Sequence, residues 1–325
     1  MKQERPLLIV TSCTRNYGWV TRAFLEGNTR WADYIVIVDQ MSTDGTREMC
    51  AEYKNVVLVD DPDMTYKENT RAKMGFMKGR ELALGRGAIY FALDIDEVMP
   101  ANWMQTEDGK KILTSKPGDM FQLEWANIMP EGKSCIRCGW QYKVFHDNGM
   151  AWQETSQQMH TPLLPYSSWE NDPTEVHDFP LLHFGDFYTR WTDYKWIYYQ
   201  FIDIQQHRSK SMISVFRMYK VEDKKVGEKT PIAKEWLYKD IDIIGLVNTK
   251  ITPIFVDYIK EIIAKEGIKK FQSIDVWTDE LCAEFGVKDP RTLGWKCLHA
   301  YLRKTQPYRR NLLIRATDKI LKKLF

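Results

Sequence analysis

The chain has 325 residues, of which 44% are hydrophobic and 28% charged, and its formal net charge is +2. This length suits one large domain or a domain with an appendage, and the balanced charge gives no reason to expect a nucleic-acid partner. No run approaches the roughly 18–20 apolar residues that a membrane-spanning helix needs. The apolar run after residue 6 is too short for a secretory signal, so we expect a cytoplasmic protein whose six cysteines are reduced thiols.

The first hundred residues alternate between predicted strands and predicted helices. Four short apolar runs predict strands, at residues 6–11, 34–38, 56–59 and 87–93. Three longer patterns between them predict helices, at residues 20–31, 46–53 and 69–84. Such alternation indicates a parallel sheet with right-handed crossovers, in which ligands bind beyond the carboxyl ends of the strands.

Polar side chains gather where these predicted strands end. They are Asn16, Asp39, Asp60, Asp61, Asp94 and Asp96. Carboxylates are rarely buried unless they are paired or bind a cation. Asp94 and Asp96 stand one residue apart after a buried strand, a pattern that suits a divalent metal ion holding phosphate oxygens. The sequence therefore predicts an acidic, metal-binding site at this edge of the sheet.

Two common kinds of site are not predicted. Neither Gly-x-Gly-x-x-Gly nor Gly-x-x-x-x-Gly-Lys-Ser/Thr follows the first strand. The sequence therefore gives no support for a dinucleotide-binding or P-loop fold. Cys135 and Cys138 have the C-x-x-C spacing, but no second pair lies at zinc-ribbon distance and no helix start follows them. We expect these two cysteines to be structural.

Several motifs resemble those of family 2 glycosyltransferases, which have the GT-A fold. Residues 38–46 (VDQMSTDGT) are similar to the family signature VDDGSTDGT, and residues 93–97 (LDIDE) resemble its LDADE element. Residues 75–81 (GFMKGRE) are similar to the GxxxARN stretch. Residues 180–184 (PLLHF) resemble the segment whose histidine completes the metal site. The resemblance covers residues 6–200 and is most specific in the first hundred.

The resemblance implies an α/β fold of the GT-A (nucleotide-diphospho-sugar transferase) type, with a mixed, mainly parallel sheet. We expect this domain to span residues 1–220, with the nucleotide-sugar half in residues 1–100 and the acceptor half in residues 101–220. A mainly helical C-terminal appendage is expected over residues 221–325.

The resemblance further implies a metal-dependent, inverting transfer of a sugar from a nucleotide-sugar donor to a glycan or lipid-linked acceptor, with UDP-sugars favoured. Asp96, His183 and Asp94 would hold Mn²⁺ or Mg²⁺, which neutralises charge on the leaving diphosphate. Asp39 would accept a hydrogen bond from the nucleobase, and Asp94 would lie near the ribose or the sugar. The implied donor-binding residues are Thr11, Asn16, Asp39, Asp61, Arg80, Asp94 and Ile95.

The resemblance does not identify the general base, because the family's V-H-E segment corresponds to residues 159–161 (MHT), which lack the acid. Gln40 also stands where the signature has its second Asp. We therefore assign catalysis to Glu154 together with Asp94, and keep Glu175 and Asp178 as alternatives.

Other interpretations remain open at this stage. His183 could be a hydrogen-bonded core residue, Asp60-Asp61-Pro62 a simple turn, and Arg80 an exposed helix residue. Two other functions also fit. A sugar nucleotidyltransferase would need a Gly-rich, basic loop after the first strand, where this chain has residues 12–16 (SCTRN). A non-catalytic glycan-binding or scaffold protein would carry a site that has lost residues needed for catalysis.

The C-terminal tail has a composition of its own. Its last 25 residues hold eight Lys or Arg and one acid, Asp318. Six apolar residues fall near one helical face, namely Leu312, Leu313, Ala316, Ile320, Leu324 and Phe325. A basic amphipathic segment is typical of peripheral contact with an anionic membrane, here through residues 308–325. The alternative is a helix that packs on its own domain.

Overall fold

The computed structural model describes residues 5–155, 161, 163–165, 172–205, 211–219, 228–251 and 253–323. It divides into two compact units, one of residues 1–188 with 227–251 and one of residues 189–226 with 252–325. The domain boundary at residue 220 stays a prediction. Met159 and His160 of the predicted V-H-E equivalent, and Leu324 and Phe325 of the tail, lie outside the described residues.

The first unit contains nine strands and four α-helices in its described residues. The strands are β1 (Leu7–Thr14), β2 (Tyr34–Asp39), β3 (Val56–Asp60), β4 (Ala88–Ala92), β5 (Glu97–Val98), β6 (Met120–Ile128), β7 (Ser134–His146), β8 (Thr174–His183) and β9 (Lys229–Pro231). The helices are α1 (Gly18–Asn28), α2 (Thr46–Ala51), α3 (Glu68–Ala83) and α4 (Glu107–Leu113).

These strands form one mixed sheet in the order β3-β2-β1-β4-β7-β6-β8-β5, with β9 paired to β7. Strands β1 to β4 are parallel to one another, as predicted. β7 is antiparallel to both β4 and β6, whereas β6 and β8 are parallel. β1 runs further than predicted, because Ser12, Cys13 and Thr14 continue its pairing with β2. The α/β fold class with a mixed sheet is confirmed.

Alternate residues of β1 enter two different hydrophobic clusters, one on each face of the sheet. Leu8 and Val10 pack in the same cluster as Phe24 of α1. Leu7 and Ile9 pack in the same cluster as Phe76 of α3. A strand covered on both faces needs an unbroken apolar run, which is what the sequence shows at this position.

Helix α3 lies close to the sheet because two of its sheet-facing residues have no side chain. A Cβ atom on Gly79 would lie 2.6 Å from Cε1 of Tyr90 and 3.2 Å from Cγ2 of Ile9. A Cβ atom on Gly75 would lie 3.3 Å from Cγ2 of Val38. The glycines of the GFMKGRE stretch therefore set the distance between α3 and the sheet.

The second unit is helical, as predicted for the C-terminal region. Its helices are α5 (Thr189–Gln205), α6 (Met212–Tyr219), α7 (Phe255–Glu266), α8 (Asp279–Phe285), α9 (Leu293–Thr305) and α10 (Leu312–Leu321). Its core is aromatic, with the ring of Phe201 4.6 Å from that of Phe271 and 5.8 Å from that of Trp277. Across the described ranges, no helix is long and apolar enough to cross a membrane.

We expect Gly79→Ala to lower the free energy of unfolding by about 1–3 kcal/mol, because the new methyl group would overlap a tightly packed ring. Tyr90 is fully buried, so it has little room to move away. The measurement is urea denaturation. Met77→Ala is the control on the same helix, since Met77 is exposed and its loss should change stability by less than about 0.5 kcal/mol. Equal stability of the two variants would contradict the close approach of α3.

Candidate functional site

The carboxyl ends of β1 to β4 form one edge of the sheet, called the carboxyl edge below. After β4 the chain turns through Asp94, Ile95 and Asp96, and the backbone N–H of Glu97 donates to the carbonyl of Asp94 over 2.9 Å. Ile95 is buried in the core. Asp96 is also buried, whereas the side chain of Asp94 is 48% exposed. The structure therefore places both predicted acids at this edge, in different surroundings.

Glu97 is the centre of a buried polar cluster next to these acids. Its Oε2 accepts from the backbone N–H of Asp94 at 2.8 Å and lies 2.7 Å from Nζ of Lys143. Its Oε1 accepts from the indole N–H of Trp125 at 2.6 Å. Lys143, on β7, also lies 3.0 Å from Oδ2 of Asp94. One lysine thus binds two of the three acids of the LDIDE motif.

Burial opposes charge on both members of this pair. It raises the pKa of Glu97 to about 8, although the neighbouring ammonium works in the opposite direction. For Lys143, burial acts to lower the pKa, but the charges of Asp94 and Glu97 outweigh it and raise the pKa above its usual value. Lys143 is therefore a protonated lysine held inside the protein by carboxylates.

His183, at the end of β8, faces Asp96. Its Nε2 lies 3.8 Å from Oδ2 of Asp96, and its ring stacks on Trp125 at 4.5 Å. Nδ1 lies 2.6 Å from Oδ1 of Asn127, whose Nδ2 is oriented by Asp186 at 3.3 Å. Nδ1 therefore carries the proton and donates to Asn127, so that Nε2 presents its lone pair towards Asp96.

Gly185 leaves room for this imidazole. A Cβ atom at residue 185 would lie 2.5 Å from Cε1 and 2.6 Å from Nε2 of His183. No real Cβ atom makes contacts that short with a ring, so any larger residue would displace the histidine.

Asp96 and His183 fit a divalent cation as a pair. Two donor atoms bound to one such ion lie at most about 4.2 Å apart, and theirs are 3.8 Å apart. Among the described residues, no group of three or more His, Cys, Asp or Glu side chains could hold a metal. Asp94, the predicted third ligand, is instead bound by Lys143. The pair supplies two ligands, so an ion held here would take its remaining ligands from water or a bound molecule.

Asp39 and Asn16 both hold the loop that follows β2. Asp39 is fully buried; it accepts from the backbone N–H and the hydroxyl of Ser42 and from Nη1 of Arg47. Asn16 accepts from the backbone N–H of Thr43 at 2.7 Å. Both side chains are at the carboxyl edge as predicted, and their hydrogen bonds fix the VDQMSTDGT segment.

Thr11 and Asp61, two further predicted donor contacts, are buried. Thr11 lies on β1 beneath α3, 3.6 Å from where a Cβ atom of Gly75 would be. Asp61 follows β3; its backbone N–H donates to the carbonyl of Asp39 at 2.9 Å, and its carboxylate accepts from the N–H of Asp63 at 3.1 Å. These bonds are those of a turn, the alternative reading of this segment.

Arg71 is a buried cation at this edge that the sequence analysis missed. It lies in the first turn of α3, is 6% exposed, and its guanidinium stands 5.1 Å from the ring of Tyr66. Its Nε is buried without a hydrogen-bond partner, and no described carboxylate forms an ion pair with it. A buried guanidinium normally has an anion beside it, because burial of an unpaired charge is costly.

The thiol of Cys13, near the end of β1, is influenced by the charges of both Arg71 and Asp94. Burial raises the pKa of this thiol to about 12; the charge of Arg71 opposes this rise, and the carboxylates of Asp94, Glu68 and Asp61 add to it. Burial also raises the pKa of Glu68, which accepts from the backbone N–H of Thr161 at 2.7 Å. The end of β1 is therefore surrounded by acids and one arginine.

Arg80 is not brought to this edge. It lies in the last turn of α3 and forms a two-bonded pair with Asp147, at 2.9 and 2.7 Å. The backbone N–H of Asp147 donates to the carbonyl of Ala88, the first residue of β4. Because α3 runs antiparallel to the strands, its first turn reaches the carboxyl edge and its last turn reaches the opposite edge.

Each of the three candidate general bases contacts other residues of the fold. Glu154 is 66% exposed and pairs with Lys73 of α3. Glu175 lies eight residues before His183 on β8, about 26 Å away along an extended strand. Asp178, on the same strand, accepts from the backbone N–H of Asp108 in α4 at 2.9 Å. The structure joins none of the three to the Asp96–His183 pair.

Two signals in the sequence pointed to the missed residues. Lys143 is the one charged residue in the apolar run Tyr142–Phe145, and a lysine inside a buried strand needs a partner. Arg71 is four residues before Gly75, so both lie on the face of α3 that covers the sheet.

No model of a known protein family matches this chain, and no curated protein matches it. Among solved structures, 4-diphosphocytidyl-2C-methyl-D-erythritol synthase is similar over 44% of this chain and 76% of that chain, with 13% sequence identity and a TM-score of 0.30. No family match accompanies the resemblance to family 2 glycosyltransferases.

We expect Lys143→Met to lower the free energy of unfolding by about 3–5 kcal/mol at pH 9.5, because it leaves a buried carboxylate unpaired. Burial raises the pKa of Glu97 to about 8 even beside the lysine, above its unfolded value of 4.5, so the parent and the variant both lose stability as pH rises towards 8. Without the ammonium the pKa of Glu97 rises further, so the variant goes on losing stability above pH 8, where the parent no longer does. Urea denaturation at pH 7 and pH 9.5 should therefore show the larger deficit at pH 9.5.

The double variant Lys143→Met/Glu97→Gln is the control for this prediction. It removes the titrating group, so its deficit relative to the parent protein should not grow between pH 7 and pH 9.5. A Lys143→Met deficit that is the same at both pH values would contradict the assignment of Glu97 as the buried partner.

Proposed function

We propose that the carboxyl edge binds a nucleotide-sugar and that the protein transfers the sugar to an acceptor hydroxyl. The observation that carries this proposal is the meeting of opposite charges at one edge of a parallel sheet. The Asp96–His183 pair offers two metal ligands, and Arg71 offers a buried guanidinium that forms no ion pair with the described residues. A diphosphate bound at this edge would pair with the guanidinium of Arg71 and with a metal ion held by Asp96 and His183.

Each group has a separate task in this proposal. Asp96 and His183 would hold Mn²⁺ or Mg²⁺, which when bound neutralises charge on a leaving diphosphate. The imidazole ligand favours Mn²⁺, because Mg²⁺ takes oxygen ligands. Arg71 would donate hydrogen bonds to phosphate oxygens, which a guanidinium does in two parallel bonds.

Lys143, Asp94 and Trp125 would position the sugar. Lys143 fixes one carboxylate oxygen of Asp94 at 3.0 Å, and the half-exposed side chain of Asp94 would then accept from a sugar hydroxyl. Trp125, packed flat on His183, would supply an apolar wall beside the sugar ring. The general base stays a prediction, with Glu154 as its first candidate.

Nucleotidyl transfer is the second candidate function. A metal-ligand pair and a buried guanidinium serve equally well when a sugar phosphate attacks a nucleoside triphosphate, and the loop after β1 carries Arg15. The two reactions differ in what leaves, because sugar transfer releases a nucleoside diphosphate and nucleotidyl transfer releases pyrophosphate.

The deciding experiment follows both products. The protein is incubated with UDP-, GDP- and TDP-sugars, and separately with nucleoside triphosphates and sugar 1-phosphates, with and without Mn²⁺. We expect metal-dependent release of nucleoside diphosphate from one of the sugars. Pyrophosphate release would favour nucleotidyl transfer. If calorimetry shows no metal-dependent nucleotide binding, the glycan-binding or scaffold alternative replaces both enzymes.

We expect Asp96→Asn to abolish metal-dependent turnover and to weaken Mn²⁺ binding at least tenfold, because the amide brings no charge to the cation. Mn²⁺ binding is measured by calorimetry, and folding by circular dichroism. The control is Asp240→Asn, the same change at an exposed surface ion pair with Arg30, where little effect is expected. A fully active Asp96→Asn protein would show that this carboxylate is not a metal ligand.

We expect Arg71→Met to weaken nucleotide binding about 10- to 100-fold, the effect of losing hydrogen bonds to a charged group. The same variant should be about as stable as the parent, because the guanidinium has no hydrogen bond or ion pair to the described residues to lose and its contact with the ring of Tyr66 is replaced by an apolar one. Calorimetry measures nucleotide binding, and thermal unfolding measures stability. A variant that is destabilised while it still binds nucleotide normally would mean that Arg71 is structural.

A further inference from the structure

Helix α10 packs against the rest of the second unit, and only one face of the helix takes part in this packing. Asp318 is buried; its Oδ2 lies 3.0 Å from Nε of Arg217 and its Oδ1 accepts from the hydroxyl of Tyr301 at 3.2 Å. Leu321, one turn further along, packs against the cluster that contains Phe216 and Leu302. The face of Asp318 and Leu321 is therefore the inner face of the helix.

The outer face of α10 is apolar and exposed. Leu312 is 78% exposed, Leu313 77% and Ile320 63%. At about 100° per residue, these three side chains and Ala316 lie within an arc of about 100°. An apolar stripe of this width normally faces a core or another surface, and here the core lies on the opposite side of the helix.

Cations lie next to this stripe. Arg315, Lys319 and Lys322 project along one side of it, and Lys323 follows the helix. The one acid of α10, Asp318, is turned inward to Arg217. The outer face of α10 therefore combines apolar area with net positive charge.

We propose that the outer face of α10 docks in the plane of an anionic lipid bilayer. Leu312, Leu313 and Ile320 would enter the boundary between headgroups and acyl chains, and the flanking cations would contact anionic headgroups. A second copy of this chain fits the face less well, because pairing would bring like charges together. The proposal is independent of the chemistry at the carboxyl edge.

The test is flotation of the full-length protein with vesicles. We expect binding to vesicles of phosphatidylcholine with phosphatidylglycerol at low salt, little binding to phosphatidylcholine alone, and loss of binding in high salt. Leu312→Gln/Leu313→Gln should reduce binding at least tenfold, and so should Arg315→Gln/Lys319→Gln/Lys322→Gln. These positions are solvent-exposed, so both variants should keep the parent's thermal stability.

Matched controls use exposed residues elsewhere on the chain. Leu293→Gln replaces a leucine that is also 78% exposed, and Lys234→Gln/Lys239→Gln/Lys250→Gln removes three exposed lysines. Both controls should bind anionic vesicles like the parent. Failure of the parent to bind such vesicles at low salt, or equal loss of binding in controls and variants, overturns the proposal. So does a parent dimer, seen by sedimentation, that Leu312→Gln/Leu313→Gln separates, because that result assigns the face to a second copy.

Discussion

The buried ion pair between Lys143 and Glu97 is the interaction on which the candidate site depends. It joins β7, which is antiparallel to its neighbours, to the first residue of β5, directly after the turn that follows the four parallel strands. Each partner alone would be a costly buried charge, so the two require each other. Through Glu97 the pair also orients the backbone of Asp94 and the indole of Trp125, on which His183 lies. The positions of the acids and of the imidazole are thus set together rather than one by one.

Much of the parallel half of the fold could be predicted because its signals are local. Unbroken apolar runs marked β1, β2 and β4, and the polar residues after them marked the carboxyl edge. The rest of the sheet was harder. β6 and β7 are neighbours in sequence, but β7 also pairs with β4 and β6 with β8, and no local pattern predicts those distant pairings. The sheet-facing glycines of α3 were matched to a family stretch before their packing role was known.

In the site as well, residues within local motifs could be predicted from the sequence, and residues defined by distant partners could not. Asp96 and His183 were predicted together, and they face each other in the structure. Lys143 was missed because a lysine is usually on the surface, and only its distant partners make it an internal residue. The choice of Arg80 instead of Arg71 followed a motif, whereas the direction of α3 decides which arginine reaches the carboxyl edge. The loop after β2 shows a further departure: Met41 has a left-handed backbone (φ 54°) where the family signature has glycine. A methionine in that conformation costs roughly 1–2 kcal/mol, so the hydrogen bonds of Asp39 and Asn16 must hold the loop against it.

The absence of a side chain at Gly185 has a consequence for how this protein can diverge. Residues 183 and 185 share one small volume, so a change at the second position is tolerated only after the ring at the first has been lost or turned away. A larger residue at position 185 therefore means that the ring of His183 has been replaced or has turned. In a collection of diverged copies, the identity of residue 185 would tell which of them can keep the histidine facing Asp96, even where position 183 itself is unchanged.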